Sequence, residues 1–476
     1  MNNLSVEQKQ HLRIQLESEL YKRDLYMFFK AAVVILYPNV VWSFNWHFKY
    51  ISNILQEEVE RIIRGEEKTK DYIINLPFRS GKSILLSQIF PVWCWLKQPS
   101  MGIMQVSHSE TLAIKHSHAS KMLIESEWFK ERFPNLTLRQ DTHAKANYMT
   151  NSGGKRISFG VNSGIIGEGA NIQIIDDLNS PKDSQAVTQS INEIYTDTLY
   201  SRLNNPSIDI RIILQQRISE NDICGYLINK SPNKYNLICI PAKLTPDLSP
   251  LELIDNYVDD LFWYDRFTDK VLQDFQETLG SKAFSGQLMQ KPQSEQGTVI
   301  KRDWYKHISK EEIQKIIVGK KLELYLDSAY TSKQKNDASG LLLTFKHNNI
   351  LYIIKAWRLW LEFPDLINWL KKVVLQYNVR MISVETKASG LSIIQQLRRD
   401  GLNVSELSPK SLDKLTRVNA VTPIIEGGRV YVVDDDWTEL YLSEMAAFPF
   451  SNVDDLVDCT SYALEKMGSG VRYAKG

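Results

Sequence analysis

The chain has 476 residues, 43% hydrophobic and 24% charged, with 57 Lys and Arg against 56 Asp and Glu for a formal charge of +1. This is the make-up of a globular chain of two or three domains with at least one large core. The balanced charge neither supports nor excludes nucleic acid, because basic residues can be confined to one groove. The four cysteines (Cys94, Cys224, Cys239, Cys459) are far apart and form no CxxC pair. That argues against a zinc site or a disulfide framework and fits a reducing cytoplasm.

The polar N-terminus, residues 1–20, reads as an amphipathic helix and not as a signal peptide. The apolar stretch YMFFKAAVVILYP is too short to span a bilayer and is interrupted by Lys30, so a buried helix is expected. Then short apolar runs alternate with helical patterns. YIINLP reads as a strand, GKSILLSQIFPVWCWLKQ as a helix, MGIMQVSH as a strand and SETLAIKHSHASKMLIES as a helix. RISFGV, NIQIIDD, RIILQQR and YNLICIPA are further strands. Such alternation implies a mainly parallel sheet covered by helices. The expected architecture is α/β: a P-loop domain of RecA/ASCE type over residues 1–245, including a helical N-terminal segment.

Residues 246–310 read as a polar, turn-rich connection containing one helix, KVLQDFQETLGSKAFSGQLMQ. Residues 311–476 start a new pattern. LELYLDSAY, GLLLTFKHNN and ILYIIKAWRL are close-spaced strands, as in an antiparallel meander. A helix (PDLINWLKKVVLQYN), a strand (MISVET), a helix (LSIIQQLRRDG), a strand (RVYVVDD) and a final helix (DDLVDCTSYALEKM) follow. This is the plan of an RNase H-like mixed-sheet nuclease domain.

Two sets of residues carry chemistry. NLPFRSGKS ends like a P-loop, although Leu76 stands where its first glycine is expected and Pro77 follows. Arg79, Ser80, Gly81, Lys82 and Ser83 would cradle phosphates, with Lys82 on the β/γ-phosphates and the Ser83 hydroxyl for Mg²⁺. NIQIIDD supplies Asp176 for the Mg²⁺ water shell, with Asp177 beside it. RIILQQR ends in Gln215, Gln216 and Arg217, a strand end placed to sense the γ-phosphate. Either Asp177 or Glu168, in GEGAN, activates water. Arg79 could supply charge in cis, or Arg202 or Arg217 across a subunit boundary. Trp46 and His47 in FNWHFKYI either stack adenine or belong to a core.

The second set is acidic. Asp327 lies in an apolar strand, where a charge is costly unless paired or bound to metal. Glu385 ends another strand, and Asp454, Asp455 and Asp458 open the last helix. Three acids on separate elements suit two divalent ions, Mg²⁺ or Mn²⁺. Asp337 is a further acid that could fold back. Lys387, Lys410, Lys414, Arg417 and Arg429 are candidates for DNA phosphates, or else solvated basic positions.

Together these pieces resemble the large terminase subunit of tailed bacteriophages. The resemblance runs through LPFRSGKS, GEGANIQIIDD, IILQQRISENDICGYL, FWYDRFTDKVL, LDSAY, DASG, ETKASGLSIIQQL and FPFSNVDDLVDCTSYAL. It implies an ATPase that translocates double-stranded DNA into a procapsid and a metal-dependent endonuclease that cuts concatemers. By position, Lys82 and Ser83 bind phosphate and Mg²⁺, and Asp176 is the Walker B acid. Gln216 belongs to the motif coupling hydrolysis to motion, and Asp327, Glu385 and Asp455 ligate the nuclease metals. Implied partners are the small terminase subunit, a portal and procapsid, and a pentameric homo-oligomeric ring, in the host cytoplasm and outside the mature virion, with no membrane. The chain departs from the family at Asp177, where glutamate is usual, and at Val453, where histidine is frequent. A helicase–nuclease of repair or defence and a gene-transfer-particle motor share the same chemistry.

Overall fold

The computed structural model describes residues 5–140, 145–163, 167–293, 299–328, 338–386, 390–408, 413–451 and 453–468. The chain forms two compact units, Met1–Leu272 with Lys282–Gln293, and Gln273–Ser281 with Ser294–Gly476.

The first unit is built on seven strands: β1 (Asp71–Asn75), β2 (Ile103–Ser107), β3 (Asn147–Met149), β4 (Lys155–Gly160), β5 (Ile172–Asp176), β6 (Ile210–Gln215) and β7 (Tyr235–Cys239). They lie in the order β3-β4-β2-β5-β6-β1-β7. Only β3, which pairs antiparallel with β4, breaks the parallel arrangement. Every residue of β2, β5 and β6 is buried, the signature of central parallel strands covered on both faces. The apolar stretch near the N-terminus is the helix Leu25–Leu36, which buries Leu25, Phe28, Phe29, Ala32 and Val33.

Register decides where chemistry can gather. Asn75 pairs with Gln215, and Asp176 with Leu214. The three motif-bearing strands therefore end at one edge of the sheet, with β6 between β1 and β5.

The exit from β6 is held by Asp222, which has no exposed surface. It accepts hydrogen bonds from the backbone N–H groups of Ile218, Ser219 and Gly225 and from Arg217 Nε at 3.0 Å. A Cβ at Gly225 would stand 1.9 Å from the Glu220 carbonyl oxygen and 2.7 Å from the Arg217 guanidinium. This explains why QQR is followed by an aspartate and a glycine.

The second unit also has seven strands: β8 (Lys306–Ile308), β9 (Leu322–Asp327), β10 (Ser339–His347), β11 (Ile350–Leu359), β12 (Val379–Glu385), β13 (Val404–Leu407) and β14 (Val430–Val433). Their order is β13-β12-β9-β10-β11-β14-β8. The meander β9-β10-β11 is antiparallel, while β12, β13, β14 and β8 join in parallel. Asn348 and Asn349, both at positive φ (48° and 61°), make the tight turn between β10 and β11, as a two-residue hairpin requires. Val384 pairs with Leu326 and Gly340 with Asp327. The ends of β9 and β12 are thus side by side. The long helix Asp269–Gln287 is broken at Gly280 (φ 76°, ψ 162°).

Replacing Asp222 with alanine would leave the Arg217 guanidinium half-buried and three backbone donors unpaired. The expected loss is about 3–5 kcal/mol, read as a lowered urea midpoint of the first unit.

Candidate functional site

At the edge where β1, β5 and β6 end, burial makes each polar group depend on a partner. Asp176 is fully buried. Ser83 Oγ donates to its Oδ1 at 3.0 Å and Ser87 Oγ to its Oδ2 at 2.6 Å, and His116 Nε2 lies 3.7 Å away. Burial, with Asp177 next to it, pushes the Asp176 carboxyl well above the usual range. Lys82 Nζ is 3.0 Å from Asp177 Oδ1, which also accepts from the Gln216 backbone N–H at 3.2 Å. Gln215 fastens the next turn, exchanging hydrogen bonds with the Asn179 backbone. The Gln216 side-chain oxygen is buried without a hydrogen-bond partner among the described residues.

The turn carrying Lys82 rests on aromatic rings. Arg79 and Gly81 are both left-handed, with φ of 59° and 80°. A Cβ at Gly81 would meet the Phe48 ring at 2.7 Å, so this position admits only glycine. His47 Nε2 donates to the Ser80 carbonyl at 3.0 Å while Asn45 Nδ2 donates to its Nδ1 at 3.2 Å. Complete burial pushes His47 down to about 3, so the ring is neutral. His47 is therefore a core residue under the loop. Trp46 packs against Tyr257 and Phe262, and its Nε1 donates to the Phe262 carbonyl.

After Ser83 the helix is wide at Ile84–Ile89 and then regular over Phe90–Lys97. Pro91 supplies the reason. It has no N–H to give to the Ser87 carbonyl, and buried Arg156 donates there instead at 2.7 Å. Arg156 also donates to Gln105 and to Ser158 Oγ. Burial, then Arg156 and Lys115, push His116 down to about 4, which keeps it neutral beside Asp176.

Several expected residues lie elsewhere. Glu168 precedes β5 and pairs with Lys155, the first residue of β4, at 2.6 Å. Both are at the opposite edge of the sheet from Asp176, separated by about 13 Å of strand alone. This excludes Glu168 as the base of this site. Arg217 is tied to Asp222 within the chain. Arg202 donates to the Thr198 carbonyl, and its backbone pairs with Ala170 ahead of β5.

The second site forms where β9 and β12 end. Asp327 and Glu385, the last residues of these strands, share a hydrogen bond. Burial, the bond to Glu385 and the charges of Glu385, Asp458 and Asp455 push the Asp327 carboxyl far up. Tyr462 donates to Glu385 Oε1 at 2.7 Å. Asp455 opens the helix Asp455–Gly468 and is pushed up to about 6 by burial, with Glu444 and Asp454 adding to the effect. That helix end lies directly over β10, since a Cβ at Gly340 would sit 2.6 Å from the Asp455 Cβ. DASG thus ends in the one residue that lets Asp455 approach Asp327.

Asp454 and Asp458 have other partners. Lys414 Nζ is 2.6 Å from a carboxylate oxygen of each, and Arg417 lies 2.9 Å from the other oxygen of Asp458. Lys414 and Arg417, expected to meet DNA phosphates, are instead the counter-ions of this helix end, and Arg417 is buried. Arg429 is half-buried just ahead of β14. Asp337, Lys387 and Lys410 lie outside the described residues. Among the described residues no three His, Cys, Asp or Glu side chains already stand as a closed ligand set.

Sequence reading missed Glu444, which is buried, paired with Arg358 and accepts the Leu456 backbone N–H at 2.7 Å. It anchors the start of the helix that carries Asp455. It also missed Ser87, His116 and Arg156. Arg156 alone had a signal, a charge inside an apolar strand pattern.

A mixed sheet with acids at the ends of two adjacent strands and on a final helix is the arrangement of an RNase H-like fold. Residues 325–467 match the family described as the terminase RNaseH-like domain. The whole chain resembles in fold the large terminase of a thermophilic bacteriophage, at 11% identity over 87% of this chain and 98% of that one, with a TM-score of 0.52. An ADP complex of that terminase aligns at 12% identity over 86% and 98% of the chains, with a TM-score of 0.47. The zinc-bound large terminase nuclease of a second thermophilic phage aligns at 19% identity over 31% and 81%, with a TM-score of 0.26. No match to a curated protein sequence is found.

Two outcomes are expected from this geometry. Gly340→Ala forces the helix bearing Asp455 off β10 and costs about 1–3 kcal/mol, measurable by chemical denaturation. His47 is neutral when folded and titrates normally when unfolded, so the unfolded chain binds more protons below its ordinary pKa. Stability should therefore fall by about 1.4 kcal/mol for each pH unit below about 6 on account of this one group. Denaturation from pH 7 to pH 5 checks it, and His47→Asn should flatten the slope.

Proposed function

We propose that this chain is the large subunit of a viral DNA-packaging terminase, an ATPase and a metal-dependent DNA endonuclease in one polypeptide. One observation carries the reading. A P-loop turn facing two acids at the carboxyl edge of a parallel sheet precedes, in the same chain, a terminase RNaseH-like domain.

The residues of the first unit fit a Mg²⁺-nucleotide. Lys82 is already committed to a carboxylate, and Ser83 to the acid that would hold the ion's water shell. When a nucleotide binds, Lys82 exchanges Asp177 for phosphate oxygens, and Asp177 is released to orient or deprotonate water. Gln216, whose backbone N–H donates to Asp177 and whose side-chain oxygen is buried without a hydrogen bond, would report that exchange to β6. Arg79 and the Ser80–Gly81 backbone line the same turn and would contribute to phosphate binding.

In the second unit, Asp327, Glu385 and Asp455 are the ligands we assign. Their mutual repulsion in a buried setting is relieved by a divalent cation, and an all-oxygen donor set suits Mg²⁺ or Mn²⁺. Bound divalent ions supply an activated water and a Lewis acid for the leaving oxygen. Tyr462 orients Glu385, while Lys414 pairs with Asp454 and Asp458 and Arg417 pairs with Asp458.

The ATPase hydrolyses ATP to move double-stranded DNA, and the same double-stranded DNA is the substrate of the nuclease. The small terminase subunit, a portal and procapsid, and a pentameric ring are the partners such a motor implies, in the host cytoplasm and outside the mature virion. Among the described residues no helix is long and apolar enough to cross a membrane.

A paired assay tests the reading. Lys82→Ala is expected to abolish ATP hydrolysis and to leave Mn²⁺-dependent cleavage of plasmid DNA intact, and Asp327→Ala to do the reverse. Normal cleavage by Asp327→Ala would remove the nuclease assignment.

A further inference from the structure

The segment FWYDRF, residues 262–267, is built into the floor of the P-loop turn. A tight turn brings it there. Asp259 and Asp260 are both left-handed, with φ of 50° and 61°, and Val258 and Leu261 exchange backbone hydrogen bonds across them. The Phe262 carbonyl then accepts from Asn45 Nδ2 at 2.7 Å and Trp46 Nε1 at 3.0 Å. Trp263 is buried, with its ring 5.3 Å from His47 and 5.7 Å from Phe48. These are the two rings that hold Ser80 and Gly81.

Arg266 lies over the outer side of this stack, its guanidinium 5.3 Å from the Trp263 ring centre. Arg79, the residue before Ser80, stands on the turn that this stack supports. Burial and the repulsion of Arg79 hold Arg266 below its ordinary value. Both side chains are exposed, and among the described residues neither has a hydrogen bond or an acidic partner. Two exposed guanidiniums, one on the turn and one on the ring stack that supports it, with no acidic partner among the described residues, favour an anion between them.

We propose that Arg266 and Arg79 form a two-arginine phosphate site at the mouth of the P-loop, and that Arg266 binds the polyphosphate of the nucleoside triphosphate. The inference rests on the ATPase reading above and adds a binding residue that lies more than 180 residues after the P-loop. Cation–π contact with Trp263 fixes the direction of the guanidinium before the ligand arrives, which lowers the ordering cost of binding. A phosphate of the DNA backbone offers the same chemistry, so the test separates the two sources.

The full-length chain is titrated with a fluorescent ATP analogue in Mg²⁺, with a fluorescent adenosine analogue and with duplex DNA. Wild type, Arg266→Gln, Arg266→Lys and Lys82→Ala are compared. Arg266→Gln is expected to weaken ATP-analogue binding by about tenfold, to leave adenosine-analogue and DNA binding unchanged, and to reduce the rise in melting temperature that ATP produces. Arg266→Lys should fall between Arg266→Gln and wild type, because a point charge replaces a planar fork. Unchanged ATP-analogue binding in Arg266→Gln, with binding still lost in Lys82→Ala, overturns this inference and leaves the ATPase reading standing. Loss of DNA affinity without loss of ATP affinity also overturns it. A wild-type chain that binds no ATP analogue overturns both.

Discussion

Asp176 is a carboxylate with no exposed surface, and the first unit is organised around keeping it there. An unpartnered buried charge of this kind costs several kcal/mol. Its hydrogen bonds come from Ser83 and Ser87, on the turn and helix that follow β1, while His116 approaches from the helix Glu110–Glu125. Each donor is in turn held by another group. The Ser87 carbonyl is left without an N–H by Pro91 and is taken up by Arg156. Gln88 bonds to His116 Nδ1 and accepts from the Tyr37 hydroxyl. A proline in a helix would normally be a defect, but here it opens a carbonyl to a buried arginine and ties the P-loop helix to β4.

The second unit handles the same constraint differently. Asp327 and Glu385 end neighbouring parallel strands, and their closeness is relieved by a shared hydrogen bond. The cations are reserved for the rim, where Lys414 and Arg417 bind Asp454 and Asp458. Glu444 does the positioning from behind, by accepting the Leu456 N–H and pairing with Arg358. Burial and the neighbouring acids push Asp327 and Asp455 up, a repulsion that a divalent cation would relieve.

What could be read from the sequence was local. An apolar run ending in GKS, another ending in Asp-Asp, the two asparagines between β10 and β11 and the acid ending LELYLD each announce their structure within a few residues. Three short strands, β3, β8 and β13, escaped notice because three or four residues carry too little periodicity and their pairing is decided by neighbours. The helix Lys414–Glu426 was hidden by Pro423 and by a charged start that reads as a loop. That is why Lys414 and Arg417 looked like free basic side chains. Glu444 sits on the helix Thr438–Ala447, which follows three aspartates and looks like surface. Glu168 misled in the opposite way. It is eight residues from Asp176 in sequence, but the length of a strand carries the two to opposite edges of the sheet.

The missing first glycine of the P-loop has a physical answer in the backbone. Leu76 and Pro77 are both buried, so the entrance to the turn serves packing, and the left-handed conformations fall later, at Arg79 and Gly81. A non-glycine residue at such a φ costs about 1 kcal/mol or more and persists only where its surroundings over-determine it. Here the hydrogen bond from His47 to the next carbonyl, and the Phe48 ring against Gly81, leave the turn no alternative. Asp177 carries the same strain, with a φ of 47°, and it too is fixed from both sides, by Lys82 and by the Gln216 N–H. The two strained residues, one a cation and one an anion, thus lie on the turn and the strand end that the Lys82–Asp177 contact joins, so the strain belongs to the way the fold holds that contact.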